Sequence, residues 1–270
     1  MKFANVEGSR REAEPGLSGV CPICSAAMLA KCGEHRVWHW AHRGIRQCDH
    51  WWEPETSWHR NWKNQFPSDW QEVVHRAENG EKHVADVKTV HGRVVEFQRS
   101  YLKPEERRSR EVFYGSMVWV VNGCRRKRDL SDFYESLRGR QIIATGLLRH
   151  LVPLDQSALL REWSDSRVGV YFDFGIVQQD ADRFGMPVLW RLSPKSQNGL
   201  AVLSPVPVAS FIGAQRNGVP VRGFHVEVIK RTAKFPAPTV YWPSKRRRRR
   251  STSWSQYKAR LDRARARRRF

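Results

Sequence analysis

Between Val84 and Gln98 the chain reads Val-Ala-Asp-Val-Lys-Thr-Val-His-Gly-Arg-Val-Val-Glu-Phe-Gln. Two β-type runs flank His91-Gly92, and each places one acid, Asp86 or Glu96, among Val and Phe. A carboxylate inside an apolar strand is costly unless it is paired or holds a cation. Two such acids on adjacent strands point to a divalent metal site. The register decides whether they meet. With a three-residue turn and Gly92 in the left-handed conformation, residue 89 faces 93 and 86 faces 96. Directly opposed side chains lie about 5 Å apart. Gln98, two residues past Glu96, shares their face. A two-residue turn would send the acids to opposite faces. The competing fate for both is ion pairing with Lys88, Arg93 or Arg99 on an exposed face.

A second constellation lies nearer the start. Cys21-Pro-Ile-Cys24 is followed after 14 residues by His39-Trp-Ala-His42. Two thiolates and two imidazoles are the ligands of a structural Zn²⁺, and a closed four-ligand site leaves no position for a substrate. Cys32, Cys48, His35 and His50 are substitute ligands. A redox role for Cys21 and Cys24 fits less well, because no βαβ unit surrounds them. A short segment poor in aliphatic residues needs such a staple to fold.

The elements that position these groups follow from spacing. Trp58, Trp62 and Phe66 recur at helical intervals, so Pro54 to Phe66 reads as a helix. Glu72 to Arg76 is a strand, Glu78-Asn79-Gly80 a turn, and the two acid-bearing strands come next. Pro104 opens a helix to about Tyr114, with acids in its first turn. Met117 to Val121 is a buried strand. The order is α-β-β-β-α-β. His59, one turn after Glu55, would share a helix face with Glu55 and Lys63.

In this order and spacing the chain resembles the PD-(D/E)XK nuclease superfamily, and more closely the competence protein CoiA family. The matching segments are Cys-Pro-Ile-Cys, His-Trp-Ala-His, Glu-Thr-Ser-Trp-His-Arg-Asn-Trp-Lys, Ala-Asp-Val-Lys, Val-Val-Glu-Phe-Gln-Arg-Ser and Val-Trp-Val-Val-Asn, within residues 18 to 122. The resemblance implies that Asp86 and Glu96 bind Mg²⁺ or Mn²⁺, that Glu55 is the acid contributed by the first helix, and that Gln98 stands where many members of the superfamily carry lysine. Lys63 or Lys88 would supply the missing positive charge.

Composition bounds the partners. The chain has 270 residues and 48 Lys plus Arg against 27 Asp plus Glu, a formal charge of +21. A polyanion is the simplest partner for such a balance. Residues 245 to 270 hold 13 Lys or Arg against Asp262 alone, a net +12, which leaves +9 for the rest. Blocks of like charge repel and stay disordered, although Trp254, Tyr257 and Leu261 would let the tail form a helix on a polyanion. Each phosphate contact would add about 0.9 to the slope of log affinity against log salt. Seven of the 12 Trp lie between residues 38 and 70. Trp58 and Trp62 have core spacing, whereas one of the adjacent Trp51 and Trp52 is free to stack on an unpaired base. Arg107, Arg108 and Arg110 would face solvent or a phosphate backbone. Asp173 lies on a strand without a partner acid and reads as structural. An odd count of five Cys argues against a disulfide framework and for a reducing cytoplasm. No apolar run approaches the roughly 20 residues of a membrane span, and the N-terminus lacks a signal-peptide core.

The expectation is therefore a mixed α+β or α/β chain in four parts. Residues 1–50 form a zinc-binding module, 51–125 a PD-(D/E)XK core, 126–243 an α+β extension and 244–270 an arginine-rich tail. Its expected activity is metal-dependent hydrolysis of phosphodiester bonds in DNA during uptake, recombination or phage-related processing. Glu55, Asp86, Glu96 and Gln98 would be catalytic, with His59 and Lys63 as auxiliaries. The rivals are a nucleic-acid-binding protein that keeps the fold without turnover, and an RNA or ribosome-associated binder driven by the tail.

Overall fold

A computed structural model describes residues 1–44, 48–51, 53–78, 80–144, 146–194 and 198–225. The chain divides into two units, Met1–Lys234 and Phe235–Phe270. The arginine-rich tail and Trp52 lie outside the described residues. The described residues form an α+β architecture of two sheets and six α-helices.

The first sheet comprises β1 (Phe3–Val6), β2 (Ser9–Glu12), β3 (Ser18–Val20), β4 (Ala27–Lys31) and β5 (His39–His42), in the order β2-β1-β3-β4-β5. All its pairings are antiparallel. Its buried cluster is small: Met1, Ala4, Ala13, Cys21, Ile23, Met28 and Trp40. So little apolar area leaves this sheet dependent on further ties.

The second sheet begins after α1 (Ser57–Lys63), with β6 (Gln71–Arg76), β7 (Lys82–Lys88), β8 (Val94–Gln98), α2 (Pro104–Tyr114) and β9 (Met117–Asn122). This is the α-β-β-β-α-β order expected from spacing. The chain continues through α3 (Asp129–Ser136), β10 (Gln141–Ala144), β11 (Leu147–Pro153), α4 (Ala158–Trp163), β12 (Gly169–Asp173), α5 (Gln178–Phe184), β13 (Val188–Leu192), β14 (Leu200–Pro207) and α6 (Val208–Asn217). Its nine strands are ordered β10-β11-β14-β13-β12-β9-β8-β7-β6. Strand β12 runs parallel to β9, so the residues after 126 extend the same sheet. The central strands are apolar on both faces because a buried cluster covers each: Trp119, Val121, Phe172 and Trp190 on one side, Val95, Phe97, Val120 and Phe211 on the other.

Local signals explain most of the boundaries. Pro104 sits at the start of α2, Glu105 and Glu106 occupy its first turn, and Gly115 ends it at φ 63°. The first helix is shorter than the Trp spacing suggests. Thr56 is its N-cap, accepting the N–H of His59, so Glu55 precedes the helix instead of riding on it. The run from Val206 reads as a short strand or turn by sequence, but α6 begins at Val208. Pro207 precedes it, and Phe211 and Ala214 bury one face at helical spacing. In α2, Arg107 and Arg110 are buried instead of solvated. Arg107 bonds the Glu162 carbonyl and Asp165, and only Arg108 of the three is exposed.

Candidate functional site

The hairpin between β7 and β8 decides where the acids point. Gly92 N–H donates to the Thr89 carbonyl and Thr89 N–H to the Arg93 carbonyl, each at 2.9 Å. Gly92 has φ 78°. This is a three-residue turn, and it pairs Lys88 with Val94 and Val87 with Val95. One step further the ladder gives way to side chains. Asp86 N–H donates to Glu96 Oε1 at 3.1 Å, and Phe97 N–H to Asp86 Oδ2 at 3.0 Å. Both carboxylates therefore lie between the two strands and line one cavity of about 50 Å³. That is room for a few atoms of water or ion size.

Six carboxylates line this cavity: Asp49, Glu53, Glu55, Glu72, Asp86 and Glu96. Lys63 and Arg110 line it as well, with Met1, His59 and Gln98, and Arg60 pairs with Glu55 at 3.1 Å. Lys63 Nζ lies 2.6 Å from Glu55 Oε2, 2.9 Å from Glu72 Oε1 and 3.8 Å from Asp86 Oδ1. Burial alone would lower the Lys63 pKa, but the charges of Glu72, Glu55 and Asp86 raise it well above the usual lysine range. Burial also opposes the charge on Glu72. Lys63 outweighs that cost and holds this carboxyl well below the ordinary range. Glu72 has φ 46° and accepts the N–H groups of Lys2 and Phe3, so it also fastens the first sheet to the second.

Glu96 is balanced differently. Burial and the charge of Asp86 push its carboxyl up to about 8, against the pull of Arg110 Nη1 at 3.4 Å. Burial also raises Asp86. Glu53 accepts Ser100 N–H at 2.6 Å and Arg99 N–H at 3.3 Å. Burial would raise its pKa, but the facing His59 ring and these N–H groups hold it below the usual value. His59 Nδ1 meets Thr56 Oγ1 at 2.8 Å. Its Nε2, 3.5 Å from Glu53, is buried without a hydrogen-bond partner. Gln98 is buried and donates to the Ser100 carbonyl and hydroxyl, both at 3.2 Å.

The structure thus brings Glu55, His59, Lys63, Asp86, Glu96 and Gln98 to one cavity. Lys88 is turned away, its Nζ 3.2 Å from His75 Nδ1. Glu53, Glu72 and Arg110 were not foreseen as cavity residues. Glu53 lies in irregular chain, Glu72 carried no sign beyond its place at a strand start, and Arg110 looked like one of three solvated arginines. The trio Glu55, Asp86 and Glu96 is looser than a tight chelate. Among the described residues, one set of three or more His, Cys, Asp or Glu ligand atoms lies within 4.8 Å of one another, and it is elsewhere.

That set is Cys21, Cys24, His42 and Cys48. Cys21 Sγ and Cys48 Sγ are 3.8 Å apart, and His42 Nε2 is 3.5 Å from both Cys24 Sγ and Cys48 Sγ. Tetrahedral bonds of about 2.3 Å to sulfur and about 2.1 Å to nitrogen space two sulfurs by about 3.8 Å, and sulfur from nitrogen by about 3.6 Å. The group could hold a metal ion such as zinc. His39, expected as a ligand, is not part of it; its Nδ1 lies 2.9 Å from the Val37 carbonyl. Both histidines fall on β5, where residues three apart point to opposite faces, so one ion cannot take both. Cys48 fills the fourth place. Burial, with the neighbouring thiols, pushes Cys48 up to about 12, which a bound cation would reverse.

Asp49, the next residue, links this cluster to the acid strands. Its Oδ2 accepts Val84 N–H at 3.1 Å, and its Oδ1 lies 2.9 Å from His83 Nδ1. Trp51 stacks on His83 with ring centroids 3.3 Å apart, and its carbonyl accepts Arg110 Nη2 at 2.6 Å. Trp51 is therefore buried and cannot stack on a base.

No helix among the described residues is long and apolar enough to cross a membrane. No protein-family model matches the chain, and neither a curated protein nor a solved structure matches it.

Proposed function

We propose that the chain is a divalent-metal-dependent nuclease of the PD-(D/E)XK kind, acting on DNA in uptake, recombination or phage-related processing in the cytoplasm. The observation that carries this reading is the convergence of Asp86, Glu96 and Glu55, with three further carboxylates, on one small cavity. Burial raises the carboxyls of Asp86 and Glu96 there, against the pull of Lys63 and Arg110, and a cation bound between them would offset that cost. Hard oxygen donors of this type suit Mg²⁺ or Mn²⁺. Asp86, Glu96 and Glu55 would hold the ion, with Glu53 adjacent. A cation bound there supplies Lewis acidity, lowering the pKa of a water and offsetting charge at the phosphoryl centre.

The chain's own groups have separate tasks in this reading. Lys63, held in place by Glu55 and Glu72, sits 3.8 Å from Asp86 and orients its carboxylate. His59 Nε2 faces Glu53 across 3.5 Å at the cavity, where it would help position a bound water or substrate. Gln98, tied to Ser100, presents an amide in place of a charged lysine. A structural Zn²⁺ in Cys21, Cys24, His42 and Cys48 would staple the small first sheet and hold the Asp49 link to β7. The excess of positive charge suits a nucleic-acid partner, through contacts to phosphate that carry no sequence preference.

A second reading, a nucleic-acid-binding protein without turnover, is favoured by one observation. Lys63 Nζ already bridges Glu55 and Glu72 next to Asp86, a position that competes with a metal ion. The purified chain on DNA with Mg²⁺, Mn²⁺ or EDTA separates the two. Metal-dependent cutting that disappears in Asp86→Ala and Glu96→Ala is the expected result. DNA that is shifted on a gel and never cut would leave the second reading.

A further inference from the structure

Cys48 and Asp49 are neighbours in sequence that serve different sites. Cys48 belongs to the Cys and His group that could hold zinc. Asp49 is buried and lines the acid cavity. From Asp49, two series of contacts lead to the two hairpin acids. In the first, Asp49 Oδ2 accepts Val84 N–H at 3.1 Å, and Val84 precedes Asp86 by two residues on β7. In the second, Asp49 Oδ1 accepts Trp51 N–H at 3.0 Å, and the Trp51 carbonyl accepts Arg110 Nη2 at 2.6 Å. Arg110 Nη1 then faces Glu96 Oε2 at 3.4 Å.

Packing reinforces both. The His83 ring lies 2.9 Å from Asp49 Oδ1 and 3.0 Å from Glu81 Oε1, and it stacks on Trp51. Val84 and Cys48 both pack against the buried cluster of the first sheet. Asp49 thus takes its place from the residue before it and passes that place to a strand and to a helix. Contiguous buried groups joined by hydrogen bonds are what carries coupling between sites.

We propose that Asp49 is a positioning residue, and that zinc in the Cys21, Cys24, His42 and Cys48 site sets the spacing of Asp86 and Glu96, and through it the Mn²⁺ affinity of the acid cavity. The Mn²⁺ affinity rests on the nuclease reading; the tie from the cysteine group to the acid pair does not. Four ligand bonds would fix Cys48. Without the ion, thiols and an imidazole keep only weak sulfur contacts, and Asp49 loses its anchor. By linkage, Mn²⁺ in the cavity strengthens zinc binding by the same factor as zinc strengthens Mn²⁺ binding.

The test compares the full chain loaded with equimolar Zn²⁺ and the chain stripped of zinc. Hydrogen exchange read by mass spectrometry reports on the strands, and electron paramagnetic resonance on Mn²⁺ binding. Zinc removal is expected to speed exchange in β7 and β8, to spare the remote β13 and β14, and to weaken Mn²⁺ binding about 5- to 150-fold. Zinc-loaded Asp49→Ala is expected to keep the wild-type zinc content and first-sheet protection, yet to show the same fast exchange and weak Mn²⁺ binding. Stripping its zinc is then expected to change Mn²⁺ affinity by less than about twofold, because the link is already cut. Asp49→Asn keeps one acceptor oxygen and is expected to restore part of the zinc effect. A zinc effect as large in Asp49→Ala as in the wild type overturns the proposal, as does β7 and β8 exchange that ignores zinc or accelerates equally throughout the chain. If zinc governs β7 and β8 exchange but no Mn²⁺ binds, the nuclease reading fails and the tie stands. If Mn²⁺ binds and DNA is cut regardless of zinc, the nuclease reading stands and the tie fails.

Discussion

Asp86 gives its backbone N–H to Oε1 of Glu96 at 3.1 Å, so each acid lies where the strand ladder would otherwise close. The reciprocal bond, from Phe97 N–H to Asp86 Oδ2, makes the pair mutually supporting. Two buried carboxylates used as ladder acceptors keep the strands apart at one point and leave a polar cavity inside an apolar sheet. That arrangement costs folding energy unless charge is compensated, and the variants below measure who compensates it.

Glu96 is expected to couple metal binding to proton release. Its carboxyl is pushed up to about 8 in the folded chain, against about 4.3 for an unfolded glutamate. The folded state thus binds the proton more tightly, and this contribution to stability is complete below about pH 4 and lost as the pH rises through about 8. A divalent cation on Glu96 displaces that proton. Titration calorimetry near pH 6.5 in buffers of different ionisation enthalpy is expected to show about one proton released per Mn²⁺ bound, falling toward none above about pH 9. Heats independent of the buffer near pH 6.5 would remove Glu96 as a ligand.

Lys63→Met is expected to destabilise the fold by about 3–5 kcal/mol, because Glu55 and Glu72 lose their buried counter-charge. Urea unfolding measures the loss. Mn²⁺ at saturating concentration is expected to recover part of it, since a second cation can take the place of the first. A variant as stable as the wild type would mean that Lys63 is not the compensating charge.

Cys48→Ser and His39→Ala distinguish the two ligand sets. Cys48 belongs to the four-membered group and His39 does not. Zinc content by elemental analysis is expected to fall sharply in Cys48→Ser and to stay at the wild-type level in His39→Ala. The opposite pattern would restore the His-x-x-His assignment. Chelation of the wild-type chain is expected to loosen the first sheet, whose buried cluster is small.

Asp173→Ala tests how α1 is held. Asp173 Oδ2 accepts the indole N–H of Trp58 and of Trp62, each at 2.8 Å. Removing the acceptor leaves two half-buried or buried donors unpaired, at about 1–3 kcal/mol each. Asp173→Asn keeps one acceptor oxygen and is expected to lose less. Because α1 carries His59 and Lys63, the alanine variant is also expected to bind Mn²⁺ more weakly. Full stability in Asp173→Ala would show that packing alone holds the helix.

Much of the second sheet was legible because its signals are short-range. Alternation in β7 and β8, the His91-Gly92 turn, Pro104 at the head of α2 and the apolar run of β9 each depend on a few neighbouring residues. The turn mattered most, because a left-handed Gly92 sets the register and the register puts Asp86 opposite Glu96. Where a neighbouring signal was misread, the error was also local: Thr56 caps α1 after Glu55, and Pro207 starts a helix where Val and Phe suggested a strand.

Residue types and turn chemistry thus determined, from the chain alone, that two acids share a face, that Cys and His near the start suit a metal, and that the chain carries a large excess of positive charge. Tertiary structure decided the company they keep. Glu72 reaches Lys63 through a residue held at φ 46°, and Arg110 turns inward from a helix that looks solvated. Cys48 replaces His39 because β5 is a strand, a fact with no signature in the His-x-x-His spacing. Among the described tryptophans of the tryptophan-rich stretch the exposed one is Trp38, since burial depends on which surface covers a residue. The physical reason is one of range: backbone pattern is fixed by contacts within a few residues, whereas charge balance and ligand convergence arise between segments tens of residues apart that only the packed sheets bring together.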